Sequence, residues 1–384
     1  MSKLITINSI DVTKFRNIKN AHYELNGSNF AFAGCNALGK TNLLNAIMWC
    51  LTGADLFDNA KDSINVPHDY DPLLDSIAVD VTVTLSVGSI RRLVVNDKGI
   101  NKKVIYINGE ECESIKNAEL RIDSMLGTLE LATINKSAKF SVRKFLLNPL
   151  YIDSVAPVDF RKFVLSLIDS YVNLDDVAHS LPSSVVSCLD SIANTRDVEY
   201  LSSIVKDKKK LLTNSKREKS IILDYISSNH PDLKNDIDSL SADVKAINMQ
   251  LTEIPTLEVA VNKYALAVMK AYHKFCMNYF DGLSFVLLEP GSTDDTWLDV
   301  CYPVIKGTLT PFSRCSTSEK VRLGALFIQS VIKNLTITST LPMLFDECET
   351  MDTHSLIELS DKVKTQFITS LVDSNCDHIE GRTF

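Results

Sequence analysis

The order of apolar and polar positions divides the chain into three stretches of different character. In the first, Leu4 to Val12 is rich in β-formers, Asn26-Gly27 interrupts as a turn, and Phe30-Ala31-Phe32-Ala33 reads as a short buried strand. A helix is predicted from Lys40 to about Leu51. Further on, Ile77 to Val87, Ile90 to Val95 and Lys103 to Ile107 are β-branched and partly alternating. Turns at Val87-Gly88 and Asp97-Lys98-Gly99 separate them, which predicts an antiparallel meander. Phe160 to Val172 has helical spacing, with Asp159 as its cap.

In the middle stretch, Leu233, Ile237, Leu240, Val244, Ile247, Leu251 and Ile254 recur at steps of four and three, an a/d seam that Pro255 is expected to end. Upstream, Val198, Leu201, Val205, Leu212, Ile222 and Ile226 fall on the same kind of register, interrupted by Lys208, Ser215 and Lys219. The turn-rich Ser227-Ser228-Asn229-His230-Pro231-Asp232 joins the two seams. Together they describe an antiparallel helical hairpin with an arm on the order of 30 Å, at about 1.5 Å per residue. An ordinary helical pair packed on the main core is the alternative reading. Beyond Pro255 a further amphipathic helix is predicted to about Phe280, and Leu283 to Leu288 and Leu298 to Ile305 regain strand character. The chain therefore reads as a β/α lobe, a helical insertion and a second β/α lobe.

Composition narrows the class. With 384 residues, 45% hydrophobic and 23% charged, the chain can bury a large core and is too apolar for disorder. Its apolar runs stop short of the roughly 20 residues that span a bilayer, and its start, Met1-Ser2-Lys3-Leu4, lacks a signal-peptide pattern. A soluble, cytoplasmic protein is expected. Nine cysteines without a Cys-x-x-Cys pair argue against a disulfide framework and against zinc held by cysteine pairs. A net charge of −8 means that any nucleic-acid binding needs a local basic surface.

The chemistry concentrates in three motifs. Gly34-Cys35-Asn36-Ala37-Leu38-Gly39-Lys40-Thr41 fits Gly-x-x-x-x-Gly-Lys-Thr, in which backbone N–H groups and a helix N-terminus cradle phosphates, the lysine reaches the outer phosphates and the threonine ligates Mg²⁺. The run Leu341-Pro342-Met343-Leu344-Phe345-Asp346-Glu347 is an apolar strand ending in two acids, suited to holding the metal (Asp346) and polarising an attacking water (Glu347). Between them, Cys315-Ser316-Thr317-Ser318-Glu319-Lys320 leads into a helical pattern, with Ser316 or Thr317 as cap and Glu319 closing a capping box from Ser316. Such a terminus could equally face a γ-phosphate.

The order of these motifs, with Phe15-Arg16-Asn17 on an early strand and Asn42-Leu43-Leu44-Asn45-Ala46 after the loop, resembles the SMC, RecF and SbcC group of ABC-type ATPases. The resemblance implies an α/β P-loop head formed by N- and C-terminal lobes (1–195 and 256–384) with an inserted antiparallel helical hairpin (196–255). It implies ATP and Mg²⁺, with nucleotide contacts from Arg16, Gly34, Asn36, Gly39, Lys40, Thr41 and Asn42, metal ligation by Thr41 and Asp346, and catalytic roles for Lys40, Glu347 and Ser316. Ser316 would act on the ATP of a second copy, and Asp352 would lie near that copy. The departures are Thr317 and Ser318 at two signature glycines, Ala37 at a loop glycine, no glutamine before Phe160 (Asn148 being the nearest substitute), and Ser370, Leu371 and Val372 where a switch histidine is usual. Slow or partner-dependent hydrolysis is the expectation.

The hairpin is short and has no zinc-hook cysteines, closer to RecF in size. On its first arm Lys206, Lys208, Lys209, Lys210, Lys216, Arg217 and Lys219 outnumber the acids, a candidate duplex-DNA surface or a solvated helix face. The expected function is a DNA-repair or recombination-type ATPase that homodimerises on ATP, binds duplex DNA and regulates or loads a nuclease or recombination partner. The alternative is a phage or mobile-element defence or counter-defence regulator using the head as a protein-interaction scaffold. A metabolic P-loop kinase is weakened by the hairpin between Lys40 and Asp346. Ile379-Glu380-Gly381-Arg382 spells a common engineered protease site and is set aside.

Overall fold

The computed structural model describes residues 3–71, 75–97, 100–135, 137, 139–290, 297–335, 337–346 and 351–384. The chain opens with β1 (Lys3–Leu4), β2 (Ile7–Phe15), β3 (Ile18–Glu24), β4 (Phe30–Gly34) and helix α1 (Lys40–Thr52). Then follow β5 (Ile77–Leu85), β6 (Gly88–Asp97), β7 (Ile100–Ile107) and β8 (Glu110–Glu111). Helices α2 (Ile115–Leu126), α3 (Leu129–Ile134), α4 (Val142–Leu147), α5 (Tyr151–Ser154) and α6 (Pro157–Ile168) complete this part. Next come α7 (Leu174–His179), α8 (Ser183–Ile192), α9 (Val198–Asn229) and α10 (Lys234–Tyr279). The last part holds β9 (Leu283–Pro290), β10 (Trp297–Ile305), α11 (Thr317–Asn334), β11 (Ser339–Thr340), β12 (Met343–Phe345), α12 (Thr353–Val363), β13 (Phe367–Val372) and β14 (Glu380–Thr383).

The chain divides into two compact units, Met1–Asp169 with Cys276–Phe384, and Ser170–Phe275. In the first, an antiparallel sheet runs β3-β2-β5-β6-β7-β8, and a second sheet runs β12-β13-β4-β14, parallel except for the β14 edge. The meander is as expected; residues 98 and 99 of its second turn lie outside the described residues. Helix α1 packs against β2, β5 and β6 of one sheet and β4, β12 and β13 of the other, so every residue from Leu43 to Leu51 is buried. This is why its sequence is apolar all round rather than striped.

A helix buried at its C-terminus must find donors for its last carbonyls, and α1 has no basic residue in its last turn. The donors come from elsewhere in the chain. Trp49 O accepts from Gly53 N (2.8 Å), Cys50 O from Arg92 Nε on β6 (3.0 Å), and Leu51 O from an Arg143 guanidinium nitrogen on α4 (2.8 Å). Both guanidinium groups are almost fully buried and share Glu119 of α2, at 3.0 and 2.6 Å, with Asp123 completing the shell of Arg143. Burial pushes the Glu119 carboxyl up, but the charges of Arg92 and Arg143 outweigh it and leave it below its ordinary value.

The N- and C-terminal parts of this unit share one core. Phe145 and Phe160 meet Phe327, and Phe160 meets Phe285, edge-on across the two parts, while Phe140 stacks on Phe163 behind them and Phe280 packs on Phe285 and Phe327. Gln366, 2% exposed, clamps the backbone of Ile7 through both amide atoms (2.7 and 3.0 Å). The tail set aside by its sequence is an integral strand: β14 pairs with β4, and a Cβ at Gly381 would lie 2.2 Å from the Phe30 ring.

In the second unit, α9 and α10 form an antiparallel hairpin held by Lys209–Glu258 (2.8 Å) and Lys219–Asp243. The α10 seam follows the sequence pattern from Ile237 on, with Ile237, Leu240, Val244, Ile247 and Leu251 half-buried and Ile254 buried, whereas Leu233, expected at its start, precedes the helix and is exposed. Three further expectations are corrected. The α9 seam passes through Lys219, Leu223 and Ile226, whereas Ile222 is 47% exposed, because a lysine stem can cover an apolar seam while its ammonium stays wet. Pro255 does not end the helix: α10 runs through it, and burial of Ile254, Val261 and Tyr264 offsets the lost backbone hydrogen bond. Helix α6 is not capped by Asp159 but starts at Pro157, whose fixed φ suits the first helical position.

Replacing Arg143 by Ala leaves the buried Leu51 carbonyl without its donor and takes one guanidinium from the half-buried carboxylates of Glu119, which keeps Arg92, and Asp123, which keeps the Thr128 hydroxyl. The expected loss is about 3–5 kcal/mol, read as a lower denaturant midpoint with an unchanged slope. Glu119, with its lowered folded value, adds stability above its unfolded value of about 4.3 that is lost as pH falls through the lower one. The stability of Arg143→Ala should therefore fall less steeply on acidification.

Candidate nucleotide site

The phosphate loop leaves the carboxyl end of β4 and enters α1 at Lys40, the place where parallel sheets collect ligands. Gly39 caps the helix at φ 106°, and Ala37 sits at φ 67°, a left-handed position that glycine would take without strain. A Cβ on Gly39 would fall 2.8 Å from the Asn17 side chain. Lys40, 8% exposed, donates from Nζ to the carbonyls of Gly34 (2.8 Å) and Cys35 (2.7 Å), so the loop closes around its own lysine. Gly34 has an ordinary φ and is required for space instead: a Cβ there would lie 2.7 Å from His378 O.

Of the tripeptide expected on an early strand only Phe15 lies on β2; Arg16 and Asn17 form the turn into β3, and from there they brace this loop. Arg16, at φ 52°, donates to Asn65 Oδ1 (3.2 Å), Asn42 Oδ1 (3.2 Å) and the buried Asp55 carboxylate (2.8 Å). Asn42 in turn donates to Asn17 Oδ1 (2.7 Å), and Asn17 reaches Leu38 O (3.4 Å). Arg16 is thus tied to the loop through Asn42. The sequence reading did not single out Asn17; its signal was its place in Phe15-Arg16-Asn17 beside the loop.

Asn17, Lys40, Thr41, Asn42, Asp346 and Ser370 line one polar cleft of about 260 Å³, together with Asn36 and Gly39. Asp346 follows β12 and Ser370 lies on β13, so three neighbouring parallel strands deliver the cleft. The Ser370 hydroxyl donates to the Asp346 carboxylate, which gives a role to a position read from sequence as a missing histidine. Glu347 lies outside the described residues. Asn148 does not line the cleft: it is 4% exposed and its amide serves Leu56 O and Leu150 N.

Ser316 caps α11 in a full capping box with Glu319, whose carboxyl the Ser316 N–H and hydroxyl hold below its ordinary value. Gly324 on this helix lies against Pro149 O, and Lys320 pairs with Asp153 (2.7 Å). The start of α11 does not line the phosphate-loop cleft. Ser318, Glu319 and Arg322 instead share a second cleft, of about 210 Å³, with Asp352 and Ser355 at the start of α12.

Of the basic residues on α9, Lys206, Lys208, Lys209, Lys210 and Arg217 are exposed, whereas Lys216 and Lys219 are half-buried. Lys209 and Lys219 are paired to α10 acids. Lys206, Lys210 and Arg217, at spacings that return to one side of a helix, form a stripe turned away from the seam. The described cysteines are free thiols, and among the described residues no helix is long and apolar enough to cross a membrane.

Comparison with curated proteins finds no match. Among solved structures, the chain is similar over 99% of its length to an Smc head domain with an extended coiled coil bound to the C-terminal domain of ScpA, from Pyrococcus furiosus (15% identity, 97% of that chain, TM-score 0.43). It is similar over 99% of its length to the recombination mediator protein RecF with ATP (18% identity, 96% of that chain, TM-score 0.42). The family model described as AAA domain matches residues 9–255, more than half of the chain and inclusive of the phosphate loop. The chain belongs to the AAA domain family, a nucleotide-binding ATPase at that general level.

Proposed function

We propose that this protein binds ATP with Mg²⁺ in the cleft of Gly34–Thr41 and hydrolyses it as a dimer in which each copy completes the other's site, acting on duplex DNA. The observation that carries the nucleotide reading is the convergence of Lys40, Thr41, Asp346 and Ser370 at the carboxyl ends of adjacent strands. Lys40 is held by loop carbonyls in the position from which it can exchange them for phosphate oxygens. Thr41 and Asp346 would hold Mg²⁺, a hard cation suited to hydroxyl and carboxylate donors, which when bound offsets charge on the phosphates. Ser370 keeps the Asp346 carboxylate oriented.

The need for a second copy is supported by the separation of function within one chain. Ser316 stands outside the phosphate-loop cleft, and its neighbours Ser318 and Glu319 line a second cleft with Asp352. A hydroxyl on an exposed helix N-terminus is the kind of group that serves a phosphate brought by a partner. Glu347, directly after Asp346 in the chain, is proposed as the base that polarises water. DNA binding rests on the α9 stripe of Lys206, Lys210 and Arg217, and control of a nuclease or recombination partner rests on the motif resemblance alone.

Lys40→Ala should weaken ATP binding by about 2–3 kcal/mol, roughly 100-fold, in a calorimetric titration; unchanged affinity would remove the loop assignment. Glu347→Gln should accumulate an ATP-bound dimer by light scattering, and a variant that stays monomeric and hydrolyses normally rules out that role. Reversing Lys206, Lys210 and Arg217 to Glu should weaken duplex binding and flatten its log–log salt slope by about 2–3. An unaltered curve would place DNA elsewhere.

A further inference from the structure

The segment between β13 and β14 gathers three metal-binding side chains beside the phosphate loop. Cys376 Sγ, a ring nitrogen of His378 and a carboxylate oxygen of Glu380 all lie within 4.8 Å of one another. A thiol, an imidazole and a carboxylate form a donor set that suits zinc and disfavours Mg²⁺. Four-coordinate zinc, with bonds of about 2.0–2.3 Å, spaces its ligand atoms about 3.3–3.8 Å apart. Side-chain movements on the order of an ångström close the gap, and His378 is exposed enough to make them. This donor set differs from the cysteine-pair sites that the sequence argues against.

The surroundings orient the ligands. His378 Nδ1 lies 2.9 Å from Asp377 Oδ1, which places the ring proton there and leaves Nε2, 3.6 Å from Glu380 Oε1, as the donor to a cation. Arg382 holds the other Glu380 oxygen at 2.9 Å and pairs with Asp373 at 2.6 Å. The same segment braces the phosphate loop: Cys35 N donates to Cys376 O (2.9 Å), Asp373 N to Gly34 O (3.0 Å), and His378 O sits where a Gly34 Cβ would be.

We propose that Cys376, His378 and Glu380 form a three-ligand site for a zinc-class divalent cation, completed by water, that pins the segment 373–380 against Gly34 and Cys35. The test uses the full chain, free of affinity tags, titrated with Zn²⁺ against a chromophoric chelator. One equivalent is expected to bind, and Co²⁺ in its place should show a thiolate-to-cobalt charge-transfer band that Cys376→Ser abolishes. Asp377→Ala should weaken zinc binding about 10-fold, and His378→Ala, which removes a side chain that is 69% exposed, by more. Bound zinc should slow hydrogen exchange at the Cys35 amide in the unaltered chain and not in His378→Ala. Failure to retain zinc, or equal retention by His378→Ala with an unchanged melting temperature, overturns the site. Tight binding with unaltered exchange at Cys35 overturns the bracing role.

Discussion

The structure depends on capping the C-terminus of α1 inside the protein. The helix that carries Lys40 lies between two sheets, so neither its flanks nor its last carbonyls reach water. Leaving those carbonyls unpaired would cost about 1–3 kcal/mol each. Arg92 and Arg143 supply the missing donors, and Glu119 and Asp123 make two buried guanidinium groups tolerable. Each charge in this group is costly alone and acceptable only with the others. Strand β6 and helices α2 and α4 are thereby committed to the position of the phosphate loop at the opposite end of α1.

A second constraint joins the ends of the chain. Residues before 170 and after 275 form one unit because the aromatic cluster around Phe327 draws side chains from both, and because β4 takes β13 and β14 as its neighbours. The cleft is assembled by this joining. Asp346 and Ser370 reach Lys40 and Thr41 only when the C-terminal strands lie beside β4. The brace formed by residues 373–378 against Gly34 and Cys35 has the same origin, and it explains why that glycine is needed at an unstrained φ.

Much of this was legible beforehand where the signal is local. The strand–loop–helix from Phe30 through Lys40, the meander, the Ser316–Glu319 capping box and the α10 seam all follow from periodicity and turn chemistry within a few residues. Pro255 departs from its expectation because burial on both sides of it outweighs the local penalty, and Ile222 because the Lys219 stem takes the seam position; a linear pattern reports neither.

The sequence by itself determined the phosphate loop and its flanking elements, because a glycine-rich turn into an apolar helix has few other structural outcomes. It also determined that an antiparallel hairpin interrupts two β/α segments. Only the tertiary structure decided which distant groups finish the site: Arg92 and Arg143 at the far end of α1, Asn17 under Gly39, Ser370 on Asp346, and the strand β14 that a protease-like tetrapeptide concealed. These are contacts between residues tens to hundreds of positions apart, set by how two sheets enclose one helix. No spacing rule along the chain encodes them.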